Sequence, residues 1–195
     1  MLKRLLAQIL LVRSHQVYML DCCASPAPQK VADVTIALLT SKTLDDHLSL
    51  ATQLTSLNHE NTAYLEDIRR DRMVGALVVY RGRLVHYGFF YKQNRMACLL
   101  GLPRGGALIG NSFTAPEYRG RGCQGRSVLA RALAAREAGF SMVFAETSID
   151  NIASGRGLVK AGMKHLGRMD FVVIGRVLVI RWRRPGGFPL LGFCR

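Results

Sequence analysis

The stretch Phe113-Thr-Ala-Pro-Glu-Tyr-Arg-Gly-Arg-Gly-Cys-Gln-Gly-Arg-Ser127 has the residue types and spacing to hold an anion. An apolar run ends there, a glycine-rich loop comes next, and a helix-forming sequence opens. Gly120, Gly122 and Gly125 let the main chain approach a ligand closely. The free amides of the next helix's first turn, at the positive end of its dipole, would face a phosphate. Arg119, Arg121 and Arg126 add charge where those amides converge. Glycine-rich loops also serve plain turn geometry, so the loop alone leaves two readings, phosphate cradle or ordinary turn.

The residues after the loop narrow the choice. A helical run places Val128, Leu129, Ala132 and Leu133 on one face, and an apolar strand is expected over Met142 to Ala145. Next comes Asp150-Asn-Ile-Ala-Ser-Gly-Arg-Gly-Leu-Val-Lys-Ala-Gly-Met163. Over residues 106–165 this order resembles the Gcn5-related N-acetyltransferase (GNAT) superfamily. That family's acyl-CoA loop reads Arg/Gln-x-x-Gly-x-Gly/Ala, and its later helix carries Asn-x-x-Ser/Ala and then Lys-x-Gly-Phe. Arg119 and Gly122 match the loop, while Gln124 stands where Gly or Ala is usual and is expected to point outward. Asn151, Ser154, Lys160 and Gly162 match the second motif, with Met163 in place of Phe. Leu158 occupies the position where many members carry a tyrosine that protonates the departing CoA thiolate, so that acid does not carry over.

The resemblance implies an acyl-CoA-dependent N-acetyltransferase using acetyl-CoA or another acyl-CoA. Amides from Arg121 through Gly122, Cys123, Gln124 and Gly125 to Arg126 would seat the diphosphate, and Phe113, Thr114 and Ala115 would pair with the pantetheine arm. Asn151 and Ser154 would bond the arm, with helix capping the alternative for Asn151. Transfer to a primary amine would proceed by direct attack in a ternary complex, with a main-chain N–H near Thr114 meeting the oxyanion. The candidate bases are Glu146, at the end of the strand that diverges from the loop strand, and His86, in the run Leu84-Val-His-Tyr-Gly88. A structural role is the alternative for His86. Glu117 is a lesser candidate that would otherwise brace the loop arginines, and Cys123 is expected to face into helix packing. The wording Thr-x-Pro-Glu-Tyr-Arg-Gly-x-Gly is most similar to bacterial acetyltransferases of cell-surface polysaccharide pathways, implying an amino-sugar acceptor, anionic if phosphate-linked. The rival is a catalytically inactive acyl-CoA sensor module.

The elements that position these residues come from one hydrophobic core: 195 residues, 49% hydrophobic, suffice for a single domain with extensions. No stretch approaches the ~20 apolar residues of a membrane span. Five cysteines without Cys-x-x-Cys spacing argue against a disulfide framework or metal site, and for a reducing, cytoplasmic setting. The net charge of +14 calls for an anionic partner. No aromatics interleave the arginines as single-strand binders require, so nucleic acid is not expected. Oligomeric state is not readable.

Residues 1–30 read as a basic amphipathic helix, Met1 to Val12, with a short strand at Val17 to Leu20 and a proline-rich connector. The helix would dock on the domain or touch the inner membrane surface. Residues 31–184 form the expected acyltransferase domain. It begins with a strand over Asp33 to Thr40 and continues with two helices between Thr43 and Arg72, opened by a Thr43/Asp46 capping pair. A hairpin over Ala76 to Tyr80 and Leu84 to Tyr91 and a strand over Gly105 to Ala115 precede the loop. A hairpin around Gly175 closes the domain, and residues 185–195 form an apolar tail. The fold class is α+β, a mixed, mostly antiparallel sheet with helices on its faces.

Overall fold

The computed structural model describes residues 10–28 and 31–194. Nine strands form one sheet: β1 (Leu10–Asp21), β2 (Val34–Leu39), β3 (Met73–Tyr80), β4 (Arg83–Tyr91), β5 (Gly106–Thr114), β6 (Met142–Ser148), β7 (Lys164–Ile174), β8 (Leu178–Arg183) and β9 (Leu191–Phe193). Their spatial order is β2-β3-β4-β5-β6-β1-β7-β8-β9. Every neighbouring pair is antiparallel except β5 and β6. These two are joined by the crossover helix that a parallel pair requires.

Among the described residues, five helices dress the sheet: α1 (Leu48–Leu57), α2 (Asn61–Arg69), α3 (Arg95–Leu100), α4 (Cys123–Glu137) and α5 (Ile152–Lys160). On one face Val128, Ala132 and Ala135 of α4 and Leu158 of α5 pack with Phe90, Ile109, Val143 and Tyr18. On the other, Leu54, Leu65 and Ile68 of α1 and α2 pack with Leu77, Phe89, Phe144 and Phe171. The β3–β4 hairpin turns on Arg81 and Gly82, at φ 49° and 80°, the left-handed pair that suits a two-residue connection. Among the described residues no helix is long and apolar enough to cross a membrane.

Several expectations need correction. The strand expected at Val17 to Leu20 runs from Leu10 to Asp21 and lies in the middle of the sheet, paired with β6 and β7. A division at residue 30 therefore cuts through the sheet. Residues 1–9 of the expected N-terminal helix lie outside the described residues, and Leu10–Val12 are strand. Thr43 caps no helix: its hydroxyl donates to the Leu38 carbonyl and accepts from the Thr40 N–H, closing a turn with Thr40. The tail packs on the domain, with Phe188 buried and β9 extending the sheet. Cys194 is bonded to Cys98 of α3, with Cα atoms 5.8 Å apart, which corrects the expectation that the cysteines form no disulfide. Spacing could not show this pair, because 96 residues separate its members.

Candidate functional site

β5 and β6 pair from Gly106/Met142 to Ile109/Ala145 and no further. Beyond that point β5 stays with β4 while β6 stays with β1, so the sheet opens between Gly110–Thr114 and Glu146–Ser148. A bulge opens β5 further: Phe89 opposes Gly110 and Tyr87 opposes Phe113, so two steps along β4 span three along β5. Asn111, at φ 46°, takes the left-handed turn this needs. The Ala115 N–H donates to the Val85 carbonyl (2.9 Å), so by strand alternation the Thr114 N–H points into the opening. This is the edge along which Phe113, Thr114 and Ala115 were expected to receive an extended arm.

The loop leads from that edge to α4. A 3-10 turn over Pro116–Tyr118 consumes the amides of Tyr118 and Arg119 on the Ala115 and Pro116 carbonyls. The Arg126 amide then donates to Gly122. Among the described residues, no acceptor meets the main-chain N–H groups of residues 120–125. Gly120 and Gly122, at φ 77° and 76°, shape that run, and Gly122 is the N-cap of a fifteen-residue helix with no side-chain cap of its own. Six consecutive free donors at a helix N-terminus suit a diphosphate. Arg121 and Gly122 are exposed, and the Arg126 guanidinium braces the loop by donating to the Arg121 carbonyl (2.8 Å). Arg119 Nε reaches the Thr114 carbonyl at 3.4 Å, tying the loop to the strand edge.

Gln124 departs from expectation. Its side chain turns toward α5, where Nε2 donates to the Ser154 carbonyl (3.5 Å). A Cβ on Gly157 would overlap its amide. Gly157 thus makes room for the larger residue at 124, and the cradle's backbone is undisturbed. Asn151 Oδ1 accepts from the Ser154 N–H (3.1 Å), so Asn151 caps α5. Leu158 is buried among Val128, Ala132 and Met163.

Glu146 is the first residue of β6 past the split, on the same face as Phe144. Its carboxylate accepts from His15 Nδ1 at 2.5 Å, and the His15 ring stacks on Phe171. His15 Nε2 is buried without a partner. His15 escaped the sequence reading because β1 was read as starting at Val17; the nearest signal was the alternation of Arg13, His15 and Val17.

His86 is sealed under α4, away from that face. It is fully buried, its Nδ1 is bonded to Thr114 Oγ1 (2.7 Å), and burial, with the Arg131 charge second, pushes it down to about 3. A histidine that neutral and enclosed cannot take a proton from an acceptor, which corrects its place among the bases. Glu117 is paired with Arg83 (2.8 Å) on the surface. Cys123 is buried, and burial pushes its thiol up, so it is held in the less nucleophilic form.

Arg131 also went unnoticed in the sequence. Its buried guanidinium lies under the β5 bulge, donating to the Ser127, Phe89 and Gly110 carbonyls at 3.1, 3.4 and 3.4 Å. Burial lowers it to about 10, so it stays charged. Gly88 admits it, since a Cβ there would lie 2.8 Å from its Cζ.

Beside the opening lies a cleft of about 640 Å³ lined by Tyr64, Asp67, Arg72, Tyr91, Arg95 and Asn111, among others. Asn111 Nδ2 donates to Tyr64 Oη at 2.5 Å. Burial first, then the neighbouring Tyr64, outweighs the opposing Arg131 charge and pushes the Tyr91 phenol up, so Tyr91 remains protonated.

No family model and no curated protein matches this chain, whereas solved structures do. A GCN5-related N-acetyltransferase from Kribbella flavida matches 90% of the chain at 13% identity and TM-score 0.57. A GNAT-family acetyltransferase from Colwellia psychrerythraea matches 83% at 17% identity and TM-score 0.54. The aminoglycoside N-acetyltransferase AAC(6')-Iy, in complex with CoA, matches 67% at 14% identity and TM-score 0.52. The chain spans 63% of the Kribbella protein's length, 55% of the Colwellia protein's and 92% of the aminoglycoside enzyme's. The fold is therefore that of the GNAT acetyltransferases.

Proposed function

We propose that the chain is an acyl-CoA-dependent N-acyltransferase acting on a small primary amine. The observation that carries this reading is the juxtaposition of six free amides, at residues 120–125, with the parted edges of β5 and β6. A diphosphate fits the first and an extended amide-bearing arm fits the second, a pair of demands that CoA meets. When bound, an acyl-CoA supplies an activated thioester carbonyl. The chain's own part is to aim the Thr114 N–H at the opening, hold Glu146 at its throat and surround the acceptor with the Tyr64–Tyr91–Asn111 cleft.

Glu146 is the general base, taking a proton from the acceptor's ammonium directly or through one water, and His15 positions it by occupying one carboxylate oxygen. With Leu158 in the core, α5 brings no phenol to the thiolate, so the proton returns from solvent or from the amine. The hydroxyl, amide and charged groups of the cleft suit a polyhydroxylated acceptor, and one structure sharing the fold is an aminoglycoside acetyltransferase. An amino sugar, as in surface-polysaccharide pathways, is the acceptor class this supports. The buried Leu158 is also what favours the second reading, an acyl-CoA sensor without turnover.

Release of free CoA thiol, monitored across a panel of amino sugars and other amines, separates the two. For the enzyme, thiol appears only with acceptor, and Glu146→Gln lowers kcat by about 100-fold or more while leaving the KM for acyl-CoA nearly unchanged. Acetyl-CoA bound but never consumed with any amine would favour the sensor.

A further inference from the structure

The half of the sheet beyond α5 carries an apolar surface over which, among the described residues, no helix packs. Cross-strand register shows that it is continuous. Leu10 opposes Ile174, Ile174 opposes Leu178, and Leu178 opposes Phe193. In the next row Val12, Val172, Ile180 and Leu191 are opposed in the same manner. Partners in an antiparallel ladder share a face, so two rows across four strands point the same way. Trp182 extends the patch along β8. The opposite face of these strands carries Val173, Val179 and Phe171, which are core. On the outer face Leu10, Val12, Trp182 and Leu191 are 48–54% exposed and Phe193 is 73% exposed. Apolar residues scattered singly over a surface mean little, but two aligned rows ending in Trp and Phe form a patch.

The charge around it is one-sided. Where the apolar rows end, Ser14, Asp170 and Arg183 form the next row, with Arg168 beside them. Asp170 is the one acidic residue on this face of the four strands among the described residues, and it is neutralised by Arg168 (2.6 Å) and Arg183 (3.7 Å). Arg176 stands at the β7–β8 turn, and Arg156 and Lys160 of α5 flank the groove alongside.

We propose that this face docks on an anionic lipid bilayer, with Trp182, Leu191 and Phe193 entering the interface and the arginines and lysine meeting phosphate headgroups. Two observations choose a bilayer over a second copy of the chain. The two aligned rows span three strand spacings by one two-residue repeat, about 14 Å by about 7 Å, on the order of 100 Å² of sheet plane and well short of the ~800 Å² per partner that a stable dimer needs. A two-fold mate would also bring one arginine rim against another, with no acidic surface to receive it. Aromatic side chains with a basic border are what a headgroup region accepts.

Trp182 is the chain's single tryptophan and reports on this face directly. The full chain is mixed with vesicles of phosphatidylcholine alone, or of phosphatidylcholine with phosphatidylglycerol. Docking shifts Trp182 emission to shorter wavelength with the anionic vesicles, and bromine-bearing acyl chains quench it. Partition is at least about tenfold stronger than to the neutral vesicles and weakens with salt. Phe193→Asp, which leaves the acyl-transfer machinery intact, lowers that partition by a similar factor. Sedimentation with vesicles while Trp182 emission stays unchanged would overturn the proposal. So would equal partition to both vesicle types, or a self-associated protein whose Trp182 is already shielded before lipid is added.

Discussion

At the residue scale, enclosure separates two groups that look alike in sequence. Glu146 and His86 both sit in apolar strands, yet one stands at the open throat of the sheet and the other is sealed under α4. That burial also bears on stability. His86 stays neutral in the folded chain down to about pH 3, while in the unfolded chain it titrates near its ordinary 6.5. Between those values the unfolded chain binds more protons, so the stability is complete above pH 6.5 and is lost as pH falls toward 3. Urea midpoints measured across that window should fall with pH, and His86→Leu should flatten the slope; an unchanged slope would mean another group governs it. The glycine-rich loop and the helix it opens were legible because they are written in consecutive residues. The Glu146–His15 pair was not, since 131 positions separate its members and only the pairing of β1 with β6 brings them together.

At the element scale, the contact between α4 and α5 explains how Gln124 is tolerated. Its amide occupies the space that a side chain at 157 would fill. Gly157→Ala gains helix propensity of about 1 kcal/mol but must displace that amide. The substitution should therefore be more stabilising in a Gln124→Ala background than in the parent, by about 1 kcal/mol in a double-mutant cycle. Strict additivity would show that the two side chains do not compete. Continuous β-rich apolar runs made β2, the β3–β4 hairpin and β5 readable within one to three residues. The six-residue α3, capped by Asn94 and Gly101, was too short to stand out from a loop. The centre of the sheet was misplaced because β1 begins in Leu10-Leu-Val12, which continues a helical pattern as readily as it starts a strand.

At the scale of the whole molecule, the tail is held at two points. β9 extends the sheet, and the Cys98–Cys194 bond ties the tail to α3, which contributes Arg95 and Cys98 to the lining of the cleft of about 640 Å³. A cross-link closing so long a loop contributes on the order of 3–5 kcal/mol, so Cys194→Ser should lower the thermal midpoint by several degrees. An unchanged midpoint would mean the tail is held by packing alone. The proposed function depends on the amides of residues 120–125 receiving a diphosphate. Calorimetry comparing CoA with pantetheine, which shares the arm but lacks the diphosphate, tests that most directly. The expected result is saturable binding of CoA and at least about 100-fold weaker binding of pantetheine, as when two or more charge-assisted hydrogen bonds are lost. Equal affinity for the two, or no heat with CoA, would contradict it.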